Sequence, residues 1–208
     1  MKTVSFFILL FTSATVVMYA QDLTGEYYLE GVMETASGFQ INADSGFQFF
    51  FSYGALDRSG KGKWKMLNDS TIILNSDKRP PLDFKLEKQT SAADKSITIQ
   101  IDNNNKNILR YVQGFIKSGP TEIPFEMNAG GIARLENQEI DSVGLIFTLC
   151  PDRYSVLPVT RGNNSFVFQF EPWIAEVFFE DFILTYSEGA FTGKHPLLKG
   201  DNYIYRKE

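Results

Sequence analysis

Apolar and polar residues alternate one by one along most of this 208-residue chain, and a period of two is the signature of strands with one buried and one solvated face. Phe47, Phe49, Phe51 and Tyr53 share one face, opposite Gln48, Phe50 and Ser52. Tyr27, Leu29, Gly31 and Met33 align in the same way against Tyr28, Glu30, Val32 and Glu34. Phe39, Ile41 and Ala43 follow, and Asp44-Ser45-Gly46 has the residues of a tight turn. After a glycine-rich loop over 54–62, Trp64 and Met66 open a strand that turns at Asn68-Asp69-Ser70 and returns over 71–74. Because these short strands are joined by local turns, they predict an antiparallel β-meander over 22–78.

Residues 76–81 are polar and end in two prolines, which a central strand does not tolerate. They are the expected linker. Beyond it, Leu82, Phe84 and Leu86 alternate with charge, and Ile97, Ile99 and Ile101 with Thr98 and Gln100. Val112, Gly114 and Ile116 lie opposite Tyr111, Gln113 and Phe115, and residues 143–150 are apolar on both faces, as in a strand between two layers. Phe166, Phe168 and Phe170, the aromatic run 178–184, and Tyr203 with Tyr205 complete the series. No segment past residue 20 has a helical period over twelve residues, and 173–177 has room for one helical turn. The fold class predicted is all-β, an antiparallel meander followed by a β-sandwich-like region over 82–208.

The first twenty residues read differently. Lys2 precedes an apolar run from Val4 to Val17, broken only by Ser5, Thr12, Ser13 and Thr15, and Ala20 precedes Gln21-Asp22. That is the layout of a secretory signal peptide over 1–20. The run is shorter than the ~20 residues that cross a bilayer, and no later segment is apolar enough to span. The expectation is a secreted or periplasmic protein with no membrane span after cleavage. Losing residues 1–20 leaves 19 bases against 25 acids. Nucleic-acid backbones and anionic membranes need concentrated Lys and Arg, so neither is an expected partner. One cysteine excludes an intramolecular disulfide, and the fold must rest on its core.

Chemistry is sparse. His195 is the single histidine, which rules out a multi-histidine zinc site. In Lys194-His195-Pro196 it reads as a solvated loop residue rather than a catalytic one. Cys150, in Leu149-Cys150-Pro151, reads as a buried small hydrophobe. No phosphate-cradling loop, nucleophile elbow or dinucleotide fingerprint occurs, and Gly60-Lys61-Gly62 reads as a hairpin turn. Asp102-Asn103-Asn104-Asn105-Lys106-Asn107 has a cation where a calcium loop needs oxygen, and reads as a polar turn. Asp57-Arg58 reads as a surface ion pair. Glu30 and Glu34, four residues apart on one strand, would be separated by about 13 Å, too far for a glycosidase pair without a partner from another strand. Glu171, Glu176 and Glu180 read as one strand's solvated face. Tyr27, Phe47, Phe49, Phe51 and Trp64 are expected to fill a core rather than line a cavity.

Residues 23–75 resemble the lipocalin-like, META-like β-meander modules of secreted bacterial proteins. The likeness is carried by Gly25-Glu26-Tyr27, by Phe39-Gln40-Ile41 ahead of Asp44-Ser45-Gly46-Phe47, and by Gly62-Lys63-Trp64. Residues 97–159 resemble the regulatory, transthyretin-like sandwich of carboxypeptidases, through the Ile97–Ile101 alternation, the strand centred on Gly114, and Gly130-Gly131 before Ile132. The two-part pattern resembles secreted β proteins of Bacteroidetes type. The resemblances imply binding or scaffolding and carry over no functional residues. The function expected is a non-enzymatic binding or structural module for a protein, a glycan or a small apolar ligand, with no cofactor and no metal. The alternative is an extracellular hydrolase using a carboxylate pair on the β scaffold.

Overall fold

The computed structural model describes residues 23–94 and 96–208, and the signal peptide expected over 1–20 lies outside the described residues. The first five strands are β1 (Gly25–Leu29), β2 (Thr35–Ile41), β3 (Gly46–Tyr53), β4 (Leu56–Asn68) and β5 (Thr71–Asn75). They run as a meander, as the alternation requires. The next eight are β6 (Phe84–Thr90), β7 (Ile97–Ile101), β8 (Val112–Ser118), β9 (Thr121–Glu126), β10 (Ile132–Leu135), β11 (Ser142–Phe147), β12 (Ser155–Pro158) and β13 (Ser165–Phe170). They form two four-stranded sheets, ordered β10-β7-β13-β6 and β12-β11-β8-β9. The last three are β14 (Phe182–Ser187), β15 (Ala190–Gly193) and β16 (Tyr203–Lys207).

Those last three strands do not join the sandwich. β14 pairs with β5, through Phe182 opposite Leu74 and Thr185 opposite Thr71, and β16 pairs with β1, through Leu29 opposite Tyr205. Eight strands thereby close a barrel in the order β1-β16-β15-β14-β5-β4-β3-β2. The sandwich is an insertion between β5 and β14. This corrects the boundary placed at 82, which gave everything up to residue 208 to the sandwich. The physical reason is closure: a twisted meander of five strands leaves two open edges, and pairing both with the C-terminal strands removes them.

Two further local readings change. Residues 54–62 are not a loop. Only Gly54-Ala55 turns, and β4 runs on through Gly60 and Gly62. A Cβ on Gly60 would stand 2.7 Å from the Phe179 ring, and one on Gly62 would stand 2.8 Å from the Phe47 ring. These glycines are there for close approach, not for turning. Glu30 and Glu34 do not share a strand either, because the chain turns between β1 and β2 with Gly31 at φ 76° and Glu34 at φ 58°.

Both cores are dry. Tyr27, Phe39, Phe47, Phe49, Phe191 and Tyr205 are each no more than 2% exposed inside the barrel, with Trp64 half-buried against them. The core reading of these aromatics is the observed one. Among the described residues, these rings occupy the barrel interior, the space in which eight-stranded barrels often hold a small ligand. In the sandwich, Ile97, Ile99 and Ile101 pack with Val112, Ile116, Val143, Leu145, Phe166 and Phe168, all fully buried.

Candidate functional site

His195 is the largest departure from expectation. It is buried at one end of the barrel, not solvated. Nδ1 accepts the backbone N–H of Leu197 at 3.0 Å and of Leu198 at 3.1 Å. The neutral ring therefore carries its proton on Nε2, which donates to Ser37 Oγ at 3.0 Å. Ser37 in turn donates to the carbonyl of Phe50 at 2.8 Å. A serine nucleophile needs the imidazole to accept its proton, and here the polarity runs the other way. The pair locks β2 and β3 to the 195–198 turn, and no catalysis follows from it.

Burial lowers the His195 pKa to about 4, from an ordinary value of 6.5. Protonating Nδ1 would also set a new N–H against two backbone donors. The unfolded chain thus binds more protons between these two values. Stability is complete above pH 6.5 and is lost as pH falls towards 4. Lowering the pH from 7 to 5 is expected to remove about 2 kcal/mol. Urea denaturation across that interval tests it, with His195→Gln expected to flatten the slope. An unchanged slope in the variant would assign the pH dependence to other groups.

A second buried polar cluster joins the two parts. Arg58 is 5% exposed and does not pair with Asp57. It makes a two-pronged contact with Asp152, at 3.3 and 2.8 Å, and donates to the carbonyls of Ala175 and Glu176. Asp83, also buried, accepts two bonds from Arg153 and one from Arg79, while its N–H donates to Ser155 Oγ. Arg79 also reaches Asp152 at 3.3 Å. Cys150 lies beside this network, and burial pushes its thiol pKa up. That is the inert cysteine the sequence suggested.

The exposed face of the barrel carries the best candidate site. Strand register places Arg206, Tyr28, Gly38, Phe50 and Ser59 in one row across β16, β1, β2, β3 and β4. The next row is Glu26, Gln40, Gln48 and Lys61. Gly38 makes the aromatic pair possible: a Cβ there would meet the Phe50 ring at 2.9 Å. Without one, the Tyr28 and Phe50 ring centroids stand 5.7 Å apart, each ring more than a third exposed. Tyr28 Oη donates to Glu26 at 2.8 Å, which fixes its ring. A groove of about 270 Å³ lies over these residues, and a second of about 420 Å³ shares Phe50 and Ser59 with it and runs to Pro172 and Glu176. Among the described residues, neither the Gln40 nor the Gln48 amide has a hydrogen-bond partner in the chain.

A larger cleft of about 630 Å³ follows the linker, between Asn75 and Arg79 on one side and Phe178 to Glu180 on the other. Its one outer ring, Phe178, is already covered by the Arg79 guanidinium at 5.5 Å. Ser76 and Asn75 also spend their side chains on holding the opposite wall. It is a seam more than a site.

The glutamates considered for hydrolysis are spread over different features of the surface. Glu30 pairs with Arg206 at 2.8 Å, Glu176 lines the outer groove and Glu180 lines the seam. None of the grooves described brings two of the five together. The asparagine run 102–107 is a set of local turns: Asn103 and Asn105 each accept a backbone N–H two residues on, and Asn105 caps the 3-10 helix Lys106–Tyr111. Among the described residues no cluster of three His, Cys, Asp or Glu side chains is placed to hold a metal ion, and no helix is long and apolar enough to cross a membrane.

No family model, curated protein or solved structure matches the chain. The fold itself is an antiparallel eight-stranded barrel carrying a two-sheet sandwich. Sequence reasoning did not single out Tyr28 and Phe50 for function. The available signal was an aromatic ring on the polar face of two strands, among Glu26 and Glu30 in one and Gln48 and Ser52 in the other.

Proposed function

We propose that the chain is a secreted or periplasmic binding module with no catalytic step of its own, whose ligand lies along the outer face of the barrel over Tyr28 and Phe50. The single observation behind this reading is the row Tyr28–Gly38–Phe50 flanked by the free amides of Gln40 and Gln48. Two partly exposed rings beside solvated amides put apolar faces and hydrogen-bonding groups on one surface, the combination a ligand site uses. The groove over Tyr28 and Phe50, about 270 Å³, is just under the ~300–1,000 Å³ of ligand clefts, and the adjoining groove of about 420 Å³ lies within that range. The packed barrel interior favours an outer site over a luminal one. Hydrolysis by a carboxylate pair has no comparable support.

A thermal-shift screen of neutral oligosaccharides, short peptides and fatty acids tests the reading, comparing the wild-type chain with Tyr28→Ala/Phe50→Ala. At least one class is expected to raise the melting temperature of the wild type and to leave the variant unmoved. Hits that stabilise both forms equally would place the ligand elsewhere.

A further inference from the structure

We infer that this groove takes a neutral oligosaccharide, an inference that rests on the groove being the ligand site. Four features of the surface point to that chemistry.

The first is the pairing of apolar faces with amides. A sugar ring presents C–H groups on its faces and hydroxyls around its rim. Tyr28 and Phe50 offer ring surface fixed by Glu26 and Gly38, and Gln40 and Gln48 stand in the adjoining row. An amide side chain both donates and accepts, and a hydroxyl does the same, so adjacent hydroxyls can be met from one glutamine.

The second is the absence of a usable edge. An extended peptide gains most from main-chain bonds to an unpaired strand. Here β1, β2 and β3 are paired on both sides. The first half of β4 is covered too, since the Ser59 carbonyl accepts Val177 N–H at 2.8 Å and the Lys61 carbonyl accepts Ser76 Oγ at 2.6 Å. Recognition must therefore come from side chains, which suits a sugar and not a strand.

The third is charge. Glu26, Asp57 and Glu176 line the groove, against Lys61 at its margin, Arg206, which Glu30 pairs, and Arg58, which Asp152 pairs. An anionic ligand would meet net repulsion, so the oligosaccharide is uncharged. The fourth is length: the two grooves share Phe50 and Ser59 and run from Tyr28 to the sandwich junction at Pro172, which favours a chain of sugars over a single one.

Isothermal titration of the full mature protein with cellohexaose, laminarihexaose, xylohexaose and mannohexaose tests this, with polygalacturonate as the acidic control. At least one neutral hexaose is expected to bind. Its affinity should fall at least about tenfold in Phe50→Ala and in Tyr28→Ala, fall less in Gln48→Ala, and stay unchanged in Phe115→Ala on the sandwich. Gln48→Ala removes an exposed side chain and keeps the test independent of folding. Polygalacturonate should not bind. If no neutral hexaose binds while a peptide or fatty acid does, and that binding is lost in the groove variants, the sugar assignment falls and the groove stands. If a hexaose binds all variants equally, the groove and the sugar assignment fall together. If nothing binds at millimolar concentration, the sugar assignment falls.

Discussion

Phe179→Ala is expected to cost about 4 kcal/mol of unfolding free energy, near the upper end of large-to-small core substitutions. Phe179 belongs to no strand, yet its ring meets those of Phe47 at 5.0 Å, Phe182 at 5.3 Å, Phe49 at 5.4 Å and Phe39 at 6.0 Å, three of them edge to face at more than 70°. It seals the wall where the first half of β4 has no strand beside it. Such ring pairs contribute about 0.5–1.5 kcal/mol each beyond their area, and a rigid barrel cannot collapse around the void. The ring lies close over Gly60, where a Cβ would stand 2.7 Å from it. Phe179→Leu keeps most of the volume and loses the ring geometry, so about 1–2 kcal/mol is expected. Urea denaturation of both variants at pH 7 measures the two losses. A Phe179→Ala loss no larger than the ~0.5 kcal/mol of a surface change would mean that the ring does not plug the barrel.

Phe179 also marks where the sequence stops being legible. The aromatic run 178–184 announces strand-like alternation, but the strand begins only at Phe182. The ring's partners on β2 and β3 lie more than a hundred residues earlier. A period of two gives the face of each residue and says nothing about which strand lies alongside. That is why the inward set Phe47, Phe49 and Phe51 and the inward set Val112, Gly114 and Ile116 were readable, while the closure of β5 onto β14 was not. Gly60 and Gly62 misled because glycine serves both turns and close packing. In a loop over 54–62, Asp57 and Arg58 would be neighbours able to pair. In a strand, consecutive residues point to opposite faces, and Arg58 turns inward to Asp152. The sequence also leaves His195 unplaced, because Ser37, the side chain that accepts its hydrogen bond, stands 158 residues away. The groove had a partial signal in Tyr28 and Phe50, but only the register through Gly38 makes them one surface.

The second large effect lies at the join between barrel and sandwich. Arg58→Ala is expected to destabilise the chain by about 3 kcal/mol, at the low end for breaking a buried ion pair, because Asp152 keeps a quarter of its side chain in solvent and retains Arg79 at 3.3 Å. The loss has two parts: a carboxylate deprived of its two-pronged partner, and the carbonyls of Ala175 and Glu176 left without a donor. Arg58→Ala/Asp152→Ala should therefore recover part of the loss but not all of it. Acid separates the same parts. Burial works to raise the Asp152 carboxyl, but the Arg58 hydrogen bond and charge, with Arg79 behind them, outweigh it and hold the pKa below the usual carboxylate range. The contribution is then complete above the unfolded value of about 3.9 and is lost as pH falls through the lower folded value. In Arg58→Ala that acid loss should shrink, since its chief cause is gone. Denaturation curves from pH 5 down to pH 2.5, on the wild type, both single alanine variants and the double, measure the coupling. Strict additivity of the two single losses would refute an Arg58–Asp152 interaction and leave the carbonyl bonds as the whole effect.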